Sequence, residues 1–573
     1  MKKITSTKLL LPGLLLFTFT QTIHAQNFEW ARMMGDTTED FGNSIAVDAA
    51  GNSYTTGYFQ GKVDFNPGTN PGDTFKLKSF GKKDIFLTKL NKDGNLIWTK
   101  QMGGHGDDIG TAVAISKSGY VYAMGSFNDT ADLDPGTGVQ NFIGAGFRDV
   151  SMCKFDTAGK LIWAKAIGGM GDDQVRSLAI DKNENLIFGG DFYATMDFDP
   201  SSSGVYNLNS NGWNDMFCCK LDSAGNFLWA NAIGCTASDE AYGVAVDSSG
   251  GVYMTGRFQS ACDFDPGAGT FSLTPKGLLD GFITKYNASG SFAWAKQFGG
   301  PGSDITGQSI VTTKTSEVFL AGEFKGTVDI DPSLSGIDSI TPSGKHDVFI
   351  AKMDTAGKYI WSKIMGGPTG DDMTSTLTID KNGNLYTTGY FYGVTDWDPS
   401  SAVAPLTSKG SWDVFISVLD RTGSYVWAKS FGGGLFDTGM GIAVDTADNV
   451  YTTGGFQYMC DFDPSSVTAY QIAAGKNDIY IHKMGTSNVG VASINNETVT
   501  FDFYPNPAVD NVTITVDRKL VGAKMQIMDV VGNIVMNSTI SSITSTISLD
   551  QFAPGLYFIR IGQGTQAYKL IVE

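Results

Sequence analysis

Histidine is nearly missing from this 573-residue chain, with four copies at His24, His105, His346 and His482. They form no Ser-His-Asp grouping and no repeated His/Glu constellation, so imidazole-based catalysis has almost no material. Cysteine is scarce too: the six show no Cys-x-x-Cys and no Cys/His metal spacing. Positive charge is in deficit, with 41 Lys and Arg against 59 Asp and Glu, a net charge of −18 and a pI of about 4.6. Such a surface repels phosphate backbones and argues against nucleic acid as a partner. Charged residues reach only 17% and hydrophobics 42%, which excludes a disordered chain and leaves ample material for a core. The apolar run at the start, Leu9 to Thr20, is broken by Pro12 and Gly13, and its twelve residues are too few to span a bilayer as a helix. With Lys2, Lys3 and Lys8 before it and Ala25 after it, residues 1–25 read as a signal peptide. No cysteine follows until Cys153, which argues against a lipid anchor, so the mature chain is expected to begin near Gln26 and to be soluble.

Glycine is abundant at 71 residues and aromatics reach 12%, a mix that suits short strands joined by tight turns. Seven tryptophans, Trp30, Trp98, Trp163, Trp229, Trp294, Trp361 and Trp427, are separated by 68, 65, 66, 65, 67 and 66 residues. Other residues keep the same beat. Asp84, Asp149, Asp215, Asp280, Asp347 and Asp413 each stand 14 residues before a Trp, and Asp478 is a seventh copy with no Trp after it. Asp40, Asp108, Asp173, Asp239, Asp304, Asp371 and Asp437 each stand 10 after one. An Asp-x-Asp-Pro unit recurs from Asp132, Asp197, Asp263, Asp329, Asp396 and Asp461, with Asp64-Phe65-Asn66-Pro67 as a variant first copy.

A period of this length in a strand-rich sequence means radial or stacked β-units. One repeat predicts four strands: Ser44–Asp48, expected to be buried on both faces, then Ser53–Phe59, Asp84–Leu90 and Leu96–Met102. Seven such units predict an all-β, seven-bladed β-propeller over residues 26–484. An open solenoid is the alternative, but the register opposes it. The chain opens on a lone fourth strand, Phe28–Arg32, and its seventh repeat stops after a third strand, Asp478–Lys483. Pairing the two closes a ring and removes two exposed edges. The Gly51-Asn52-Ser53-Tyr54-Thr55-Thr56-Gly57 segment, followed by Asp-x-Phe-x-x-Lys and the Trp strand, resembles the bacterial SBBP β-propeller repeat family. That resemblance implies a fold and carries no shared chemistry.

The period stops after Lys483, and residues 485–500 read as a polar linker. Short alternating strands then predict a small C-terminal β-sandwich over 501–573: Val512–Val516, Lys524–Met528, Ile534–Met536, Leu556–Ile561 and Tyr568–Val572. Tyr504-Pro505-Asn506-Pro507 at its start, Pro554-Gly555-Leu556-Tyr557-Phe558 and the terminal Tyr568–Val572 strand resemble the C-terminal sorting domains of type IX secretion cargo. The resemblance implies the type IX machinery as a partner and a secreted or cell-surface location reached through the periplasm. An ordinary binding sandwich is the other reading.

Candidate sites divide into repeated and unique positions. The paired carboxylates Asp132/Asp134, Asp197/Asp199, Asp263/Asp265, Asp329/Asp331, Asp396/Asp398 and Asp461/Asp463 could hold a structural calcium ion, a cation that takes oxygen ligands. The alternative is that they cap strands, with the residue between them as an anchor. Asp-x-x-Gly units such as Asp156–Gly159 differ in spacing from sialidase Asp boxes and predict hairpin turns. A residue repeated in every unit serves the fold, so unique residues are the better guide to function. Between the Gly and Phe of the second strand the residue runs Tyr58, Ser126, Asp191, Arg257, Glu323, Tyr390 and Gly455, which predicts a charged, solvated patch of Asp191, Arg257 and Glu323; an acid/base pair of Asp191 and Glu323 is the alternative, opposed by their lying two blades apart. Trp213 and Trp412 lie in comparable loops and could stack on sugars or as easily pack their own loops. No catalytic set is readable, and no cofactor other than calcium is suggested. A non-enzymatic extracellular binding protein is the leading reading, ahead of a polysaccharide hydrolase or lyase and of a structural adhesion component. Connections between strands one and two and between three and four are short, and the others are long and varied. Binding of a protein or glycan ligand is therefore expected on the long-loop face, which also carries both repeated Asp sets and so is expected to be the more acidic end.

Overall fold

A computed structural model of the chain describes residues 26–66, 74–333, 336–486, 501–516, 520–529, 534–561 and 568–573. The expected signal peptide lies outside the described residues, as does the expected linker apart from Gly485 and Thr486, which continue the preceding strand. Among the described residues every regular element of three residues or more is a β-strand. The chain divides into two compact parts, with the boundary between Ser487 and Asn488.

The first part contains seven copies of one antiparallel four-stranded arrangement. In repeat one the strands are Phe41–Val47, Ser53–Asp64, Lys76–Leu90 and Leu96–Gly104, each hydrogen-bonded to the next. Burial is deepest in the middle strands. Val121–Phe127 and Asp149–Phe155 of repeat two are buried along their whole length, so neither shows polar alternation. The first strand, expected to be buried on both faces, is only half-buried in Phe41–Val47, because one of its sides faces a cavity.

Repeat seven is assembled from both ends of the repeat array. Its strands are Thr438–Val444, Val450–Phe456, Asp478–Thr486 and Gln26–Met34, the last pairing antiparallel with Asp478–Thr486 from Gln26↔Thr486 to Met34↔Ile479. Phe41–Val47 of repeat one in turn packs against Thr438–Val444 and Val450–Phe456.

The repeated motifs are links between neighbouring repeats. Trp98 in repeat one donates its indole N–H to the carbonyl of Thr157 in the Asp-x-x-Gly turn of repeat two, at 3.2 Å. In that turn Asp156 Oδ1 accepts the N–H groups of Ala158 and Lys160, both at 2.9 Å. Gly159 has φ +79°, and a Cβ there would come within 2.9 Å of the Trp98 ring. Glycine is needed twice over, for the left-handed backbone and for the close approach to the indole.

The Asp-x-Asp-Pro units form short hairpins that the sequence reading missed. Thr195–Asp197 pairs with Asn207–Asn209, and it also pairs with the previous repeat through Gly168↔Asp197 and Gly169↔Met196. Equivalent bridges join Gly103 to Asp132, Gly299 to Asp329, Gly366 to Asp396 and Gly432 to Asp461. The residue between the two Asp, such as Leu133, Phe198, Trp397 or Phe462, is fully buried and anchors the latch. Between repeats three and four Cys235 takes the place of a latch glycine, and a disulfide joins it to Cys262 on the facing hairpin. No spacing motif announces this bond. Cys460, at the position equivalent to Cys262, faces Gly433 and stays a buried free thiol.

In the second part, Phe501–Tyr504, Asn511–Val516 and Thr544–Ser548 form one sheet. The other has the order Ile534–Thr539, Lys524–Met528, Gly555–Ile561, Tyr568–Val572. Val512, Ile514 and Ile547 from the first pack with Ile527, Ile559 and Leu570 from the second in a single core.

Candidate functional site

A cavity of about 700 Å³ is lined by residues from the first strand of all seven repeats. Each first strand carries a β-bulge, where its register with the second strand slips by one residue. The residues at the bulges are Asn43, Thr111, Arg176, Tyr242, Gln308, Ser375 and Met440, and every one of them lines the cavity. A bulge re-aims a side chain away from the regular alternation of a strand. Here seven bulges present seven different side chains to one space.

Next to the bulges stand the unique residues of the second strands, in register with the strand-one starts: Phe41↔Tyr58, Gln174↔Asp191, Glu240↔Arg257, Thr306↔Glu323 and Met373↔Tyr390. Asp191, Arg257 and Glu323 fall in successive repeats, but none of them lines the cavity: they sit behind lining residues of the bulges and form no solvated patch. Asp191 is 0% and Glu323 5% exposed. Asp191 accepts from Arg176 Nε at 2.5 Å and from Asn214 Nδ2 at 3.1 Å. Arg257 Nη2 lies 2.6 Å from Glu240 Oε2, and the Tyr242 hydroxyl donates to the same oxygen. The guanidinium groups of Arg176 and Arg257 sit 4.9 and 5.5 Å from the centre of the Tyr242 ring. Glu323 Oε1 accepts from Gln308 Nε2 at 2.9 Å, while its Oε2 is buried with no hydrogen-bond partner. Burial pushes the Glu323 carboxyl up to about 8, which the Gln308 amide and the positive charge of Arg257 only partly offset. Burial also raises Asp191, against the pull of Arg176.

The two candidate tryptophans part company. Trp412 lines the cavity, with its ring centre 4.7 Å from that of Tyr390 and 5.1 Å from that of Phe436. Trp213 is 67% exposed, is absent from the cavity wall and stacks on Tyr193 at 6.2 Å. Their loops are offset by one residue: Trp412 immediately precedes Asp413, whereas Asn214 holds that place before Asp215.

The repeated aspartates have structural partners. In all six Asp-x-Asp-Pro units the first carboxylate bridges two backbone N–H groups. Asp132 Oδ1 accepts from Asp134 and Gln140, and Asp197, Asp263, Asp329, Asp396 and Asp461 repeat the pattern. The second carboxylate, on Asp134, Asp199, Asp265, Asp331, Asp398 or Asp463, accepts the N–H two residues on. The aspartates after each Trp are latches as well: Asp108 accepts from Gly104 N and Asn128 N. One-residue insertions displace two members of this set. Asp372, not Asp371, bonds Gly367 N, and Ile305, not Asp304, donates its N–H to the carbonyl equivalent to that of Lys83. Burial, with help from Asp84, pushes Asp108 up to about 7, and burial, with Asp149, pushes Asp173 up to about 8. Burial likewise raises Asp40, Asp239, Asp372 and Asp437, so at these latch positions the charged form is disfavoured.

Sequence reasoning missed Arg176, Glu240, Tyr242, Gln308 and Phe436. A signal existed for the bulge residues, since after alignment on the following small residues this column varies from Asn to Met while its neighbours stay small.

Residues 29–58 and 360–390 match the model of the beta-propeller repeat family, and residues 502–573 match that of the secretion system C-terminal sorting domain. An uncharacterized WD repeat-containing protein of Acanthamoeba polyphaga mimivirus is 23% identical over 74% of this chain and 36% of its own length. The regulatory protein FlaEY of Caulobacter vibrioides is 24% identical over 69% of the chain and 40% of its own length. The chain thus spans little more than a third of these two curated relatives. Beta-agarase A of Zobellia galactanivorans is 40% identical over 78 residues, 13% of this chain and 14% of that protein. Among solved structures, Sqt1 of Chaetomium thermophilum covers 75% of the chain and 97% of itself at 12% identity and a TM-score of 0.36. PorZ, a surface component of the type IX secretion system of Porphyromonas gingivalis, covers 94% of the chain and 100% of itself at 12% identity and a TM-score of 0.16. No helix among the described residues is long and apolar enough to cross a membrane. The sorting domain implies an interaction with the type IX machinery and a secreted or cell-surface location. The chain carries SBBP-type beta-propeller repeats at residues 29–58 and 360–390 and a secretion system C-terminal sorting domain at residues 502–573.

Proposed function

We propose that the chain is a non-enzymatic binding protein, carried to the periplasm by residues 1–25 and then outward by its sorting domain. Its seven repeats close into a seven-bladed propeller over residues 26–486, followed by a linker and the sorting domain from residue 501. The ligand sits at the long-loop end of the central channel. One observation carries the reading: seven bulges aim seven dissimilar side chains into one cavity, inside a scaffold whose Trp and Asp positions recur from repeat to repeat. Two of the acids at this mouth, Asp191 and Glu240, are tied to arginines, which favours recognition over general acid–base chemistry.

A glycan and protein binding screen on the purified secreted chain tests the reading. Trp412→Ala and Gln308→Ala are expected to weaken any hit about tenfold, a loss of roughly 1.4 kcal/mol. Trp213→Ala, outside the cavity, leaves it unchanged. Charge reversal at Asp191 or Glu323 is a poor probe, because a buried reversed charge tests folding instead. Loss of binding only from changes in the short Asp-x-x-Gly turns would put the site on the opposite face.

The Asp-x-Asp-Pro pairs act, in this reading, as hairpin caps and latches, with their inner oxygens spent on backbone N–H groups. A ligand bound only to the native state raises its stability by mass action. Chelator is therefore expected to move the thermal midpoint by no more than about 1–2 °C. A drop of several degrees that calcium restores would make these pairs calcium sites.

A further inference from the structure

We propose that the channel mouth takes a primary ammonium group, its charge seated against Glu323 and its alkyl stem lying on the rings of Trp412 and Tyr390. This rests on the channel reading above and names the ligand chemistry within it. The equivalent positions in repeats three and four hold complete ion pairs, Asp191 with Arg176 and Arg257 with Glu240. In repeat five the bulge supplies Gln308 in place of a cation, so Glu323 receives one neutral donor and its Oε2 is left buried and unpartnered. Asp84, Asp173, Asp215, Asp304, Asp413 and Asp478 also keep one buried oxygen without a partner, but those positions recur with the fold, whereas a glutamate at this place is unique to repeat five. The charged and titratable groups within electrostatic reach of Glu323 are Arg257 from repeat four and Tyr390 from repeat six. Arg257 is already neutralised by Glu240, so the missing charge at Glu323 is positive. The adjoining wall suits an alkylammonium ion. Tyr390 and Trp412 pack at 4.7 Å and both line the cavity, as do the thioethers of Met373 and Met440. Aromatic faces attract cations, and thioethers accept an alkyl stem.

Because burial holds the Glu323 proton up to about 8, an ammonium ion that binds at pH 7 displaces it. Affinity should therefore rise with pH between about 6 and 8, by up to tenfold per unit, while the amine itself stays protonated. A lysine side chain of a protein and a free diamine share this chemistry.

The test uses the full secreted chain, titrated with acetyl-lysine methylamide, with its Nε-acetylated form and with 1,5-diaminopentane. The charged lysine derivative or the diamine should bind with affinity that rises with pH, and the tighter of the two identifies the source. Nε-acetylation and Glu323→Gln should each cost at least tenfold, Glu323→Gln should flatten the pH profile, and Trp412→Ala should cost about tenfold. Equal binding of the acetylated form, a flat profile in the unmutated chain, or unchanged affinity in folded Glu323→Gln overturns the proposal. If neither amine binds while another ligand is lost in Trp412→Ala, the ammonium class fails and the channel reading stands. If no ligand responds to channel substitutions, both fail.

Discussion

Deleting residues 501–573 should leave the repeat domain folded and binding-competent but held in the periplasm of a type IX-competent host, with its appearance in the medium or on the surface abolished. Two observations set the size of this effect. Among the described residues the C-terminal core, built on Val512, Ile514, Ile527, Ile559 and Leu570, includes no residue from the repeats, and no repeat sheet includes a strand of the segment removed. The segment removed coincides with the matched sorting domain, residues 502–573, so what is lost is the address. Fractionation with a periplasmic marker reads the location. A thermal midpoint for the repeat domain within about 2 °C of that in the full chain reads the folding. Normal export of the truncated chain would sink the assignment, whereas aggregation in the periplasm would mean that the repeats depend on the C-terminal part.

Most of the fold was legible because its determinants are local and repeated. The predicted strands Ser53–Phe59 and Leu96–Met102 lie within the observed Ser53–Asp64 and Leu96–Gly104. The turn chemistry of Asp156 and Gly159 followed from what Asp and Gly do in any hairpin. What escaped was non-local or irregular. The latch hairpins are strands of two or three residues with little alternation to detect, and their partner is the preceding repeat. Cys235 and Cys262 are 27 residues apart and meet only because a latch brings them together. A fixed count of 10 from each Trp misassigned Asp371 and Asp304, because a one-residue insertion leaves a neighbouring residue to do the work. The site was half visible. Uniqueness within an otherwise regular column singled out Asp191, Arg257, Glu323 and Trp412. Their bulge partners Arg176, Tyr242 and Gln308 escaped because the signal, a variable column between small neighbours, shows only when the repeats are aligned on the small residues after the bulge and not by a fixed count from each Trp.

Trp30→Ala should cost as much stability as Trp294→Ala, about 3–5 kcal/mol each by the usual cost of truncating a large aromatic in a packed site. The equivalence is not obvious from sequence, since Trp30 stands only four residues after the expected start of the mature chain and Trp294 in the middle of the repeats. Their links match, although Trp30 is buried and Trp294 only half-buried. Trp294 donates to the Thr355 carbonyl of the next repeat at 3.3 Å and meets Tyr253 edge-on at 6.1 Å. Trp30 donates to the Lys92 carbonyl of repeat one at 3.1 Å and meets Tyr451 of repeat seven edge-on at 6.3 Å. Arg32, two residues on, adds bonds to the carbonyls of Gly94 and Asp93, and Lys483 on the paired strand reaches the Lys92 carbonyl at 3.2 Å. The N-terminal strand thus makes between repeats seven and one the same link that an internal fourth strand makes between neighbours. In the inferred ring, breaking that link opens the circle and exposes strand edges on both sides of the gap. Denaturant unfolding and thermal midpoints of the two variants, measured side by side, should agree to within about 1 kcal/mol and a few degrees. A frayed terminal strand predicts almost no loss for Trp30→Ala beside a full loss for Trp294→Ala, and that outcome would rule out closure by the first strand.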